Sequence, residues 1–133
     1  MTDPKVLFVC LHGAAKSVLA AADCERMAAE RGLRIRAEAA GTEPDCEMAP
    51  AVAAALEAEG VTLAGREPRL VTRDMAARAS RIIAFGCGLG AAAPPGVEIE
   101  QWEDVPTVSA GLPAARATIR THLERLLDEW RTS

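Results

Sequence analysis

Five residues separate Cys10 from Lys16, and Ser17 follows directly, in the run Val9-Cys10-Leu11-His12-Gly13-Ala14-Ala15-Lys16-Ser17. A thiol, a cation and a hydroxyl at this spacing are the parts of a site that attacks an anion. A strand delivers Cys10 to a loop, and the loop runs straight into a helix. In that arrangement the backbone N–H groups of Leu11, His12, Gly13, Ala14, Ala15, Lys16 and Ser17 converge with the helix N-terminus on a tetrahedral oxyanion. The same field favours a thiolate, which makes Cys10 nucleophilic near neutral pH. Gly13 takes the left-handed conformation that a tight cradle needs. Lys16 supplies the counter-charge. Ser17 is placed to cap the helix and to donate to the sulfur.

The elements that must position these groups are legible in the apolar patterning. Lys5 to Val9 is a short run of a strand buried on both faces. From Ser17 to about Arg31, Ala20, Ala21, Cys24, Met27 and Ala28 share one face and Asp23, Arg26 and Glu30 another, which predicts an amphipathic helix ending at Gly32. Leu33 to Ala40 alternates as a strand with one wetter face, and residues 41–45 turn. A second helix runs from Pro50 to about Glu59, a short one from Arg73 to Ala79 with Thr72 as N-cap. Arg81 to Phe85 is a third strand, residues 97–101 a fourth, and the last helix spans Pro113 to Trp130 with Ala115, Ile119, Leu123, Leu126, Leu127 and Trp130 inward. Alternating strands and helices predict parallel β-α-β units in a three-layer α/β/α sandwich around a four-stranded, mainly parallel sheet. Ligands in such sheets bind beyond the carboxyl ends of the strands, where Cys10 and Cys87 both fall.

The composition narrows the function. A chain of 133 residues, half of them hydrophobic, makes one domain over residues 1–133. Aromatics are 3% and the net charge is −4 with no basic run, so neither base stacking nor nucleic-acid binding is expected. No apolar stretch is long enough to span a bilayer. Met1-Thr2-Asp3-Pro4 has no basic n-region, so a cytoplasmic location is expected, with the four cysteines as thiols. Cys10, His12 and Cys87 do not make the paired spacings of a zinc site, and neither a metal nor a cofactor is expected. Cys24 reads as core, Cys46 as an exposed incidental thiol, and His122 carries no assigned role.

The Cys10-to-Ser17 segment between first strand and first helix resembles the low-molecular-weight phosphotyrosine phosphatases and their relatives, the thioredoxin- or mycothiol-linked arsenate reductases. The resemblance continues through Ala40-Gly41-Thr42-Glu43-Pro44, Pro50-Ala51-Val52, Gly60-Val61, Ile82-Ile83 before Cys87, and Trp102 ahead of the last helix. The short chain, with His12 two residues after the nucleophile, is more similar to the reductase-like branch. The resemblance implies a phosphate or arsenate oxyanion as substrate, held by the loop, with Cys10, Lys16 and Ser17 catalytic. It implies a resolving thiol after the third strand, where Cys87 stands, and a general acid after the Trp102 region.

Three departures from that pattern matter. Lys16 replaces an arginine, exchanging a planar fork for a point charge and weakening transition-state stabilisation. Gly13 replaces an asparagine that braces the loop. No Asp-Pro pair follows Trp102. Asp104 is the nearest acid, with Glu103 in reserve; if the acid position falls on Thr107-Val108 instead, there is none. Residues 88–95 contain no second cysteine, so a redoxin or a small thiol would have to complete any reductive cycle. Cys87 reads equally as resolving thiol or core filler. The expected activity is arsenate reduction through a Cys10 adduct. The alternatives are phosphomonoester hydrolysis and an oxyanion-binding module without turnover.

Overall fold

The computed structural model describes residues 3–132, with side chains up to Trp130; the start of the amino-terminal segment at Met1-Thr2 lies outside the described residues. Four strands form the sheet: β1 (Lys5–Cys10), β2 (Arg36–Gly41), β3 (Arg81–Ala84) and β4 (Ile99–Gln101), in the order β2-β1-β3-β4. All three pairings are parallel. Four helices join them: α1 (Lys16–Glu30), α2 (Pro50–Ala58), α3 (Arg73–Arg78) and α4 (Leu112–Thr132).

The period-2 alternation of β1 divides the core into two layers. Val6 and Phe8 point into one cluster with Ile83, the α1 face around Leu19, Ala20 and Cys24, and Ile119 and Leu123 of α4. Leu7 and Val9 point the other way, against Ile82, Val71, Ala76 of α3 and Leu89. This is the expected three-layer sandwich. Small alanines on the inner face of α1 let α4 approach it closely, and the apolar stripe of α4 is buried through Leu127. Trp130, read from sequence as the end of that stripe, is half-buried and lies under the Arg81 guanidinium, 5.7 Å from the ring centroid.

Polar contacts lock the helices together as well. Asp23 of α1 is 1% exposed, and it accepts a two-pronged pair from Arg116 of α4, Nε to Oδ2 at 3.1 Å and Nη2 to Oδ1 at 2.8 Å. Arg116 also grips Glu59, just beyond α2. Thr72 caps α3 as expected, its Oγ1 accepting from Met75 N at 3.1 Å. The predicted elements match the observed ones to within a few residues. The largest differences are β2 and β4, which begin three and two residues later than their alternation suggests because chain pairing starts only at Arg36 and Ile99.

Candidate active site

β1 ends on Cys10, whose parity puts its side chain on the α1 side of the sheet. The sulfur lies 3.0 Å from the Ser17 Oγ, and both residues are buried, Cys10 at 8% and Ser17 at 0% exposure. Ser17 therefore serves the sulfur and does not cap α1. The N-cap position falls to Ala15, which has no side-chain acceptor to offer.

Between them the loop is held from its outer side. The carbonyl of Leu11 accepts from Glu43 N at 2.7 Å, that of His12 from Asp45 N at 3.0 Å and that of Ala14 from Ala49 N at 2.9 Å. Three outward-facing carbonyls leave the amides facing inward. Among the described residues, no backbone N–H from Leu11 to Val18 donates to a protein acceptor. Buried amides ordinarily find partners, so this run of free donors at a helix N-terminus is suited to receive an anion. Gly13 has φ +61° and packs so tightly on Gly41 that a Cβ on either residue would strike the other's backbone, at 2.8 and 2.5 Å. The brace that an asparagine would have given at position 13 is supplied by this contact and by the three loop-to-segment hydrogen bonds.

The cradle opens into a groove of about 590 Å³ lined by Cys10, His12, Ala14, Ala15, Lys16, Asp45, Pro50, Phe85 and the stretch from Thr107 to Ser109, among others. Phe85 is set by an edge-on contact with buried Trp102, ring centroids 5.8 Å apart. Lys16 lines the groove, but its Nζ donates to the Val105 carbonyl at 3.0 Å, tying the start of α1 to the segment between β4 and α4.

Asp104 is not where the sequence suggested. It is absent from the groove lining, and its carboxylate accepts from His122 Nε2 at 2.7 Å. That hydrogen bond holds the Asp104 carboxyl below the usual carboxylate range, the opposite of what a proton donor needs. Glu103 is likewise not among the lining residues; Thr107 and Val108 occupy that rim. His122, unassigned from sequence, stacks on Trp102 with centroids 4.5 Å apart and takes Arg125 on its Nδ1. The three residues brace the segment that carries Val105.

Cys87 is half-buried, follows β3, and its thiol donates to the Val9 carbonyl at 3.6 Å, one residue before Cys10. Burial pushes the Cys87 thiol up, and the neighbouring Cys10 adds to that rise. Cys24 is core, as read: burial pushes its thiol up to about 12. Cys46 is exposed.

A family model described as low molecular weight phosphotyrosine protein phosphatase matches residues 5–92. The chain belongs to that family. Among solved structures it is similar to YfkJ from Bacillus subtilis, at 25% identity and a TM-score of 0.83 over 99% of this chain and 97% of that one. It is similar to the thioredoxin-dependent arsenate reductase of Corynebacterium glutamicum, at 27% identity and a TM-score of 0.69 over 98% of this chain and 61% of that one. It is also similar to the arsenate reductase of Archaeoglobus fulgidus, at 25% identity and a TM-score of 0.70 over 92% and 98%. A protein tyrosine phosphatase from Entamoeba histolytica, 18% identical with a TM-score of 0.84, shares the fold. No match was found among curated protein sequences.

The fold brings together Cys10, the loop and Ser17, the residues that the sequence singled out. Sequence reasoning missed Gly41 as the loop's footing and Asp45 as a wall of the groove. Gly41 carried a faint signal, a glycine where a strand ends. Asp45 carried none, because its side chain meets the loop only through the tertiary approach of two segments far apart in sequence. No described helix is long and apolar enough to cross a membrane.

Proposed function

We propose that the protein is a thiol-dependent arsenate reductase of this family, with Cys10 as nucleophile. The observation that carries the reading is the Cys10–Ser17 contact at the base of a loop whose amides have no other acceptor. The Cys10 thiolate attacks arsenate held by the amides of Leu11 to Ser17. An S–As bond forms, an As–O bond breaks, and the departing oxygen leaves with its electron pair and a proton as water. Lys16 balances the charge of the bound anion, and the Ser17 hydroxyl donates to the sulfur as it carries negative charge.

Cys87 acts next as the resolving thiol. Its thiol gives up its proton, which ends on an oxygen of the departing arsenite, as its sulfur attacks Cys10 Sγ; an S–S bond forms and the S–As pair returns to arsenic, which leaves reduced as arsenite. The position of Cys87 on the Val9 carbonyl supports this step. An external dithiol, a redoxin or a small thiol, then reduces the Cys10–Cys87 disulfide. The free thiols fit a reducing cytoplasmic setting.

One observation favours a second reading, a phosphomonoester hydrolase. The groove is far larger than a bare oxyanion, and Pro50, Phe85 and Val108 give it apolar walls suited to an organic group. The two readings separate in one experiment that measures arsenate-dependent oxidation of a dithiol beside hydrolysis of an aryl phosphate. C10S abolishes both activities. C87S abolishes reduction and spares hydrolysis if both readings hold. Turnover that survives in C10S contradicts the mechanism, and phosphate binding without either activity would leave an oxyanion-binding module.

A further inference from the structure

We propose that His12, oriented by Asp45, is the proton donor to the departing oxygen, in place of the acid missing after Trp102. This rests on Cys10 being the nucleophile, and it applies to either substrate class.

His12 Nδ1 faces two oxygens, the Glu43 carbonyl at 3.1 Å and Asp45 Oδ1 at 3.4 Å. A ring nitrogen between two acceptors carries the hydrogen, which leaves Nε2 as the working atom. Both side chains are half-exposed and both line the groove above Cys10. The pair is built in. Glu43 N and Asp45 N are bonded to the carbonyls of Leu11 and His12, so backbone and side chain hold the same two strands of chain together. A base fixed through one nitrogen by a carbonyl or carboxylate, with the other free toward substrate, is the geometry of a general acid. The ionisable groups that line the groove with His12 are Asp45, whose carboxylate meets its ring, and Cys10 and Lys16 of its own loop. Lys16 is engaged on Val105.

The proton balance closes. As Cys10 Sγ forms its bond to phosphorus or arsenic, the opposite P–O or As–O bond breaks and its electron pair goes to the departing oxygen. That oxygen takes the Nε2 proton and leaves as an alcohol or as water. Neutral His12 recovers its proton from the water that hydrolyses a thiophosphate adduct, or from solvent in the reductive cycle.

The test is a leaving-group series, p-nitrophenyl against phenyl phosphate, with pH profiles for the wild type, H12N and D45N. Asparagine at position 12 keeps an N–H for the Glu43 carbonyl and loses Nε2. The expected result is that H12N slows phenyl phosphate by about 10²-fold, barely changes p-nitrophenyl phosphate, and removes the alkaline fall of kcat/KM. D45N, which leaves the ring in place but loosens its hold, slows phenyl phosphate less than H12N does and spares p-nitrophenyl phosphate. An equal loss on both substrates, or an unchanged alkaline limb in H12N, overturns the proposal and leaves His12 a loop brace. A wild type inert toward both aryl phosphates and arsenate sinks the nucleophile reading and this proposal with it; an active wild type with an indifferent H12N sinks this proposal alone.

Discussion

Gly13 and Gly41 meet backbone to backbone, and neither has room for a methyl group: a Cβ built on Gly41 would lie 2.5 Å from Gly13 N and 2.7 Å from the His12 carbonyl carbon. The end of β2 is thus the floor on which the loop from Cys10 to Ser17 rests. Gly41→Ala is expected to push the loop outward, costing about 1–3 kcal/mol of stability and abolishing anion binding. Thermal unfolding with and without phosphate checks both: a destabilised variant that phosphate still stabilises as much as the wild type contradicts the expectation.

Ser17 is wholly buried and its hydroxyl meets the Cys10 sulfur. Hydrogen bonds to charged groups contribute roughly 1.5–3 kcal/mol, so Ser17→Ala should slow the step that consumes the Cys10 thiolate by about 10–100-fold. Single-turnover measurement of adduct formation is the readout. A rate unchanged from wild type would show that the sulfur does not use this hydroxyl.

Lys16→Arg restores a planar fork at the start of α1. The guanidinium has donors enough for the Val105 carbonyl and for two anion oxygens, where the ammonium is held on Val105 at 3.0 Å. Aryl phosphate hydrolysis should rise by about tenfold, within the worth of one charge-assisted bond, while Lys16→Met should lower it. Steady-state kinetics of the three proteins decides.

Much of this site is legible in the sequence. The x5 spacing from Cys10 to Lys16, the buried run of β1 and the amphipathic face of α1 follow from local pattern, and local pattern fixes where a strand hands its last residue to a loop. What pattern does not encode is which side chains meet across the fold. Asp104 reads as an acid because it follows Trp102, yet in space it belongs to His122, a residue of α4 with no local signature. Ser17 reads both as a helix cap and as a donor to Cys10; the helix starts one residue earlier, so only the second contact forms. Asp45 sits in a turn of polar residues, and only the clamp between residues 43–49 and the loop gives it a partner.

The helix clamp sets the acid stability. Arg116 and, second, Arg26 hold the Glu59 carboxyl down at about 2 from an ordinary 4.5. A carboxylate lowered on folding adds stability above its unfolded value and loses it as pH falls toward the folded one. The wild type should therefore weaken between about pH 4.5 and 2, and Glu59→Gln should flatten that window in chemical-denaturation curves. Arg116→Met is expected to be worse at every pH near neutrality, by about 3–5 kcal/mol, because it strips buried Asp23 of its bidentate partner and leaves, among the described residues, Arg120 at 3.3 Å.

The most direct test of the central claim is the alkylation rate of Cys10 by iodoacetamide near neutral pH, read at the Cys10 peptide with and without phosphate or arsenate. An anion seated in the loop amides covers the sulfur, so at ten times its dissociation constant the rate should fall about tenfold. Alkylation of Cys10 at one rate, whatever the concentration of either anion, would contradict the cradle.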